Sequence, residues 1–384
     1  MTHARISQML DKARSKTGLD DFGCDTFREG LEVLVASIEK EARLNDIGER
    51  AVWRQLTTFL INRLQIEDWY RRHPEIDEQE IEAPWFGLGL PRTGSTALNN
   101  LLSCDPGRRF LRTWEAERPC PPPEAHTADD DPRVREVALG IELMQKIVPE
   151  FAAIHETTAT GPNEDGVVLA HEFKSPHLEA ILRVPSYAAW RAACDMTTAY
   201  RYHQRFIKLL QWRCPPRRWQ LKSPVHLHSF EALLEVYPDA RIIMTHRDPA
   251  KVIPSACSLW RSTMALYSSD VDALELGQTL PGFWAGSLRN VIEWRARNGD
   301  SAFFDIAYHD MVDDPIEAVC GVYAAFGEEL TGDAQQRMRK WQRENRKGKH
   351  GLHAYTPEEY GLDAEGIRQT FAFYSDRYGV PVEE

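Results

Sequence analysis

Residues 85–102, Trp-Phe-Gly-Leu-Gly-Leu-Pro-Arg-Thr-Gly-Ser-Thr-Ala-Leu-Asn-Asn-Leu-Leu, constrain this chain more than any other stretch. An apolar run suited to a buried strand stops at Pro91. A loop of Arg92, Thr93, Gly94, Ser95 and Thr96 follows, and then a helical pattern begins. Strand, tight loop and helix in this order make a phosphate cradle. The glycine lets backbone N–H groups close on an anion, and the helix N-terminus adds its partial positive charge. The G-x-x-x-x-G-K-[ST] pattern is absent, so the loop is not a Walker A loop. Arg92 sets a cation at its front. The stretch points to a nucleotide phosphate that is not held in the usual ATP or GTP manner.

Later stretches repeat the alternation. Residues 219–222, Trp-Gln-Leu-Lys, read as a second buried strand, with a helix over 226–236. A third strand over 241–245 leads into His246-Arg247-Asp248-Pro249. Pro249 suits the first position of a helix, and Asp248 suits its cap. A fourth strand over 302–306 runs out at Tyr308. Strands alternating with helices predict an α/β fold, a P-loop-like parallel β-sheet flanked by helices on both faces. Ligands of such sheets sit at the carboxyl ends of the strands. Arg92, Lys222, Arg247 and Tyr308 are therefore expected to converge on one crevice.

Two helical regions extend this core. Residues 1–80 carry Leu31, Leu34, Ile38, Leu56, Leu60 and Leu64 at helical spacing and predict an N-terminal helical segment packed on the core. After a Pro- and Asp-rich loop at 118–133, residues 134–214 read as a mostly helical insertion. The remaining domain is expected to span 81–384, with the insertion covering the crevice.

The net charge of −12 argues against general nucleic-acid binding, so a cationic pocket has to be local. No apolar run approaches the roughly 18–20 residues that span a bilayer. Seven scattered cysteines form no C-x-x-C, which suggests reduced thiols and a cytoplasmic setting without a structural zinc or a disulfide framework.

The four strand ends, in this order and spacing, resemble the sulfotransferases that use 3′-phosphoadenosine-5′-phosphosulfate (PAPS). Pro91-Arg92-Thr93-Gly94-Ser95-Thr96 is similar to that family's 5′-phosphosulfate loop, and Ala97 follows it. Arg247 and Ser255, eight residues apart, resemble its 3′-phosphate motif. Tyr308-His309-Asp310-Met311 with Asp314-Pro315 resembles the segment whose Tyr lies against the adenine. Arg346-Lys347-Gly348 resembles the late loop that closes on the 3′-phosphate. The helical insertion looks most like bacterial members and is loosely similar to the tyrosylprotein branch. Two departures separate the chain from the cytosolic branch. Ala97 stands where that branch has Trp, and Lys222-Ser223-Pro224 replaces its K-T-H, whose His is the general base.

The resemblance implies in-line transfer of a sulfuryl group from PAPS to a hydroxyl or amine of a small acceptor, leaving 3′,5′-adenosine bisphosphate (PAP). Negative charge builds on the bridging oxygen, and a positioned cation there stabilises the transition state. Arg92 and Lys222 are the candidates, while Ser95, Thr96 and the loop amides hold the 5′-phosphate. Arg247, Ser255, Arg346, Lys347 and the Gly348 amide fit a 3′-phosphate dianion, which calls for charge-assisted partners. A sulfuryl group carries less charge than a phosphoryl group, so no metal is expected. His350 and His353 have ligand-like spacing but no companions.

The acceptor hydroxyl needs a base. Glu115, about twenty residues after the loop, is the first candidate, since the tyrosylprotein branch has a catalytic Glu in a similar place. A salt bridge to Arg112 or Arg118 is its structural alternative. His226 is second, then His228 and the pair His171-Glu172. Trp114, Phe151, Phe173, Tyr187, Trp190, Trp260 and Trp284 are candidates for an acceptor pocket or for core. The competing hypotheses are an atypical P-loop kinase and a non-catalytic nucleotide-binding protein. The resemblance also allows a homodimer.

Overall fold

The computed structural model describes residues 2–127, 130–147, 157–215, 217–345 and 355–383. Five strands form one parallel sheet: β1 (Trp85–Gly89), β2 (Arg108–Arg109), β3 (Arg218–Lys222), β4 (Arg241–His246) and β5 (Phe303–Ala307). Their order across the sheet is β2-β3-β1-β4-β5, with every neighbouring pair parallel. The first strand therefore lies in the middle, between the strands that end in Lys222 and His246. Its register sets Gly87 opposite Lys222 and Gly89 opposite Thr245.

A parallel sheet needs cover on both faces, and the side-chain alternation of the central strands divides between two cores. Trp85 and Ile243 face one layer, with Leu98, Leu101, Val319, Val322 and Tyr323. Phe86, Leu88, Ile242 and Met244 face the other, with Phe206, Ile253, Trp284 and Leu288. Successive residues point to opposite faces because the strand period is two.

The N-terminal residues form α1 (Thr2–Thr17), α2 (Phe27–Glu41) and α3 (Asp46–Arg72). They share a core with Phe173, Leu178 and Tyr187 of the inserted region. Arg63 of α3 is wholly buried at this seam. It pairs with buried Glu172 at 2.5 Å, donates to the Phe22 carbonyl, and lies over the rings of Phe27 and Tyr202.

The elements read from sequence recur with shifted ends. The helix expected over 226–236 is a 3-10 segment, Pro224–Ser229, running into the α-helix Phe230–Val236. β5 ends at Ala307, and Tyr308 opens the helix Tyr308–Asp313. The two-residue β2 escaped the sequence reading because so short a strand shows no periodicity.

Candidate active site

β1 delivers the chain to the phosphate loop, and α4 (Ser95–Leu102) carries it away. Gly89 has φ +131°, and a Cβ there would stand 2.6 Å from the Thr245 carbonyl oxygen, which makes glycine a requirement at this close approach. Gly94 is the N-cap of α4 in the left-handed conformation (φ +86°), and no side chain caps the helix. The amides of Ser95, Thr96 and Ala97 thus open the helix without a side-chain partner, the arrangement that receives an anion. Arg92 also has positive φ (+65°), which costs a residue with a side chain about 1–2 kcal/mol. Its Nε donates to Ser255 Oγ at 3.3 Å. Thr93 turns inward, donating to the Leu90 carbonyl at 2.7 Å and sharing a hydrogen bond with Thr245 Oγ1 at 2.6 Å. Its side chain locks the loop, leaving only its backbone to a ligand.

Lys222 closes β3 with its stem across Gly87, where a Cβ would come within 3.0 Å of Lys222 Cγ. Its ammonium donates to Glu164 Oε1 at 2.5 Å and to Thr96 Oγ1 at 3.3 Å. Ser223 Oγ donates to Glu164 Oε2 at 3.2 Å. The Lys222 side chain is 6% exposed and that of Glu164 32%, so the carboxylate stands on the solvent side of the ammonium. The sequence reading missed Glu164, because it lies inside the region read as helical. The polar turn Asn163-Glu164-Asp165-Gly166, which interrupts that pattern, is the signal that marks it.

Arg247 follows β4 and forms the opposite wall. Its guanidinium lies 3.8 Å from the centroid of the Tyr308 ring, and its Nη1 donates to the Arg92 carbonyl at 3.0 Å. The Tyr308 ring lies 3.4 Å from where a Cβ on Gly94 would be. Arg92, Gly94, Arg247, Ser255 and Tyr308 are thereby gathered at one end of the loop, with Thr96, Lys222, Ser223 and Glu164 at the other. Arg247 also holds an anion from its own chain, since its Nε and Nη2 donate to the Glu383 carboxylate, each at 2.9 Å. The Glu383 amide donates to Asp248 Oδ2 at 2.9 Å, and its carbonyl accepts from Arg368 at 3.2 Å. Asp248 caps the helix Pro249–Ala265 through the Ala250 amide.

A model of the sulfotransferase family matches residues 84–332. The sulfotransferase STF9 from Mycobacterium avium is 33% identical, with a TM-score of 0.89 over 98% of this chain and 97% of that one. The chain belongs to the sulfotransferase family. The sulfotransferase STF1 from Mycobacterium tuberculosis H37Rv is also similar, 32% identical with a TM-score of 0.86 over 96% of this chain and 98% of that one. So is the omega-hydroxy-beta-dihydromenaquinone-9 sulfotransferase Stf3 of Mycobacterium bovis, 24% identical across 78% of this chain and 75% of its own length. Membership of the family displaces the kinase alternative.

Several side chains nominated from sequence are buried and engaged by other parts of this sulfotransferase. Glu115 is completely buried. Its Oε1 accepts from Arg109 at 2.9 Å and its Oε2 from the Arg112 amide at 3.1 Å, so it caps its own short helix and offers no face to a hydroxyl. Arg109 is an ion-pair partner of Glu115. His226 is completely buried with both ring nitrogens engaged, by Tyr200 and Asp165. Glu172 is committed to Arg63, and burial pushes neighbouring His171 down to about 3. His228 lies against Phe283 and Trp284, where burial holds it well below the usual histidine range. Trp114, Phe173, Tyr187 and Trp284 are core, while Trp190 and Trp260 remain partly exposed. Phe151, Arg346, Lys347, Gly348, His350 and His353 lie outside the described residues. Among the described residues, no group of three or more His, Cys, Asp or Glu is suited to a metal ion.

Proposed function

We propose that the chain transfers the sulfuryl group of PAPS, in line, to the hydroxyl of a small acceptor, with Glu164 as general base and Lys222 as the cation at the leaving oxygen. The observation that carries this reading is the Lys222–Glu164 pair beside the uncapped N-terminus of α4. The α4 amides with Ser95 and Thr96 hold the 5′-phosphate, and Arg92 approaches from the front. Arg247 and Ser255 take the 3′-phosphate, with Arg346, Lys347 and the Gly348 amide closing on it. Tyr308 lies along the adenine. A lysine ammonium has three N–H donors. Two go to Glu164 and Thr96, and the third is turned to the bridging oxygen. Glu164 accepts the hydroxyl proton as the acceptor oxygen bonds to sulfur. The S–O bond to the phosphate breaks, and its electron pair stays on PAP beside Lys222.

The named relative Stf3 acts on a hydroxylated menaquinone derivative. We extend that chemistry to the acceptor here, a hydroxyl borne on a largely apolar molecule, reached under the inserted region 134–214. The test is sulfuryl transfer from radiolabelled PAPS to a panel of prenyl alcohols, phenols and sugars. Product on the prenyl or phenolic acceptors supports the reading. Tight PAP binding with no transfer to any of them favours a non-catalytic nucleotide-binding role.

A further inference from the structure

Immediately after Glu164, the chain plunges into the core. Asp165 is completely buried, and so are His203 and His226. Both imidazoles address one oxygen of Asp165: Nε2 of His226 lies 2.8 Å from Oδ2, and Nε2 of His203 lies 3.0 Å from it. Their other nitrogens are also engaged. The Tyr200 hydroxyl is 2.8 Å from His226 Nδ1, and the Tyr237 hydroxyl is 2.7 Å from His203 Nδ1. With each Nε2–H donating to the carboxylate, each Nδ1 is left to meet a tyrosine hydroxyl. Burial pushes His203 down. Burial pushes Asp165 up, but the two imidazoles outweigh it and hold Asp165 below the usual carboxylate range.

This array joins separate parts of the molecule. Asp165 opens the 3-10 segment Asp165–Glu172 of the insertion, and His203 lies in the helix Thr197–Gln211. His226 lies four residues beyond Lys222 at the end of β3. The turn is pressed flat on that strand end. A Cβ on Gly166 would stand 2.4 Å from Val225 Cγ2 and 2.6 Å from Ser223 Oγ. A buried carboxylate is an expensive way to fill a core that apolar side chains could fill.

We propose that Asp165, His203 and His226 are positioning residues, a buried clamp that holds the Glu164 turn of the insertion against Lys222 of the sheet. The clamp touches no substrate. It acts by fixing the Glu164 carboxylate at contact distance from the ammonium, and it rests on the reading of Glu164 as base. Misplacing a catalytic group by about 1 Å can cost about a hundredfold in rate.

The test uses the full chain, with transfer from labelled PAPS to geranylgeraniol, calorimetry with PAP, and crystal structures of the variants. D165N keeps the shape of Asp165 and removes its charge. It is expected to lower kcat about ten- to hundredfold, to leave PAP affinity unchanged, and to open the Glu164–Lys222 contact by about 1 Å. H226Q, whose amide can donate from the Nε2 position, is expected to stay within about threefold of the parent, whereas H226N is expected to behave as D165N. The clamp is overturned if D165N keeps the Glu164–Lys222 contact, or if H226Q and H226N are equally impaired. E164Q separates the two ideas. If E164Q retains full turnover, the assignment of the base fails, and the crystal contact alone then judges the clamp.

Discussion

At the scale of single residues, the cleft depends on a few charged side chains held at fixed separations. E164Q removes the proton acceptor while preserving shape, and turnover is expected to fall by about 10²–10⁴ with PAP affinity near normal. E115Q disturbs a helix cap and the Arg109 pair instead. It is expected to lower the thermal midpoint and spare kcat, so measuring both variants side by side shows which glutamate works on substrate. Arg247 is the other decisive residue. R247A should weaken PAP binding by about 1.5–3 kcal/mol, the range for a hydrogen bond to a charged group. Glu383 now occupies that guanidinium, and a phosphate has to displace it. E383Q is therefore expected to tighten PAP binding, and calorimetry showing equal or weaker affinity would remove Arg247 from the phosphate site.

At the scale of elements, the turn at the head of α4 is the most demanding piece of backbone. Gly94 holds φ +86° with the Tyr308 ring against it. G94A is expected to cost about 1–2 kcal/mol of stability and to weaken PAP as the amides lose their alignment. Urea unfolding and calorimetry on the same preparation check both. This loop was legible in the sequence because strand, turn glycine and helix are contiguous, and each leaves a local mark. The strands ending at Lys222 and His246 were legible for the same reason. Glu164 was not, since it lies 58 positions before Lys222 and meets it only when the chain between them has folded. Glu115 was nominated because its spacing from the loop is similar to that in a related branch. Its contacts with Arg109 and the Arg112 amide are a matter of packing that the sequence does not display. The Arg346-Lys347-Gly348 loop lies outside the described residues and stays an expectation from sequence.

At the scale of the whole molecule, buried charge joins the N-terminal helices to the insertion at Arg63–Glu172, and the insertion to the end of β3 around Asp165. No helix among the described residues is long and apolar enough to cross a membrane. Buried charge makes stability pH-dependent in a definite direction. Burial pushes Asp305 up, but Arg295 and His246 outweigh it and hold it below its ordinary value. Arg368 and the amides of Glu383 and Ala250 do the same for Asp248 against the push of burial. A carboxylate with a depressed folded-state pKa contributes stability above its unfolded value and loses it as pH falls. The urea midpoint is expected to drop between about pH 5 and pH 3, and D305N should make that drop shallower. An equal drop in D305N would show that Asp305 does not cause the pH dependence.

We propose that one cleft, walled by α4, Lys222 and Arg247, receives both phosphates of PAPS. Calorimetry with PAP, against 5′-AMP and Mg·ATP, tests it most directly. Tight PAP binding that needs the 3′-phosphate and is weakened by R247A is the expected result. Equal affinity for PAP and AMP would contradict it.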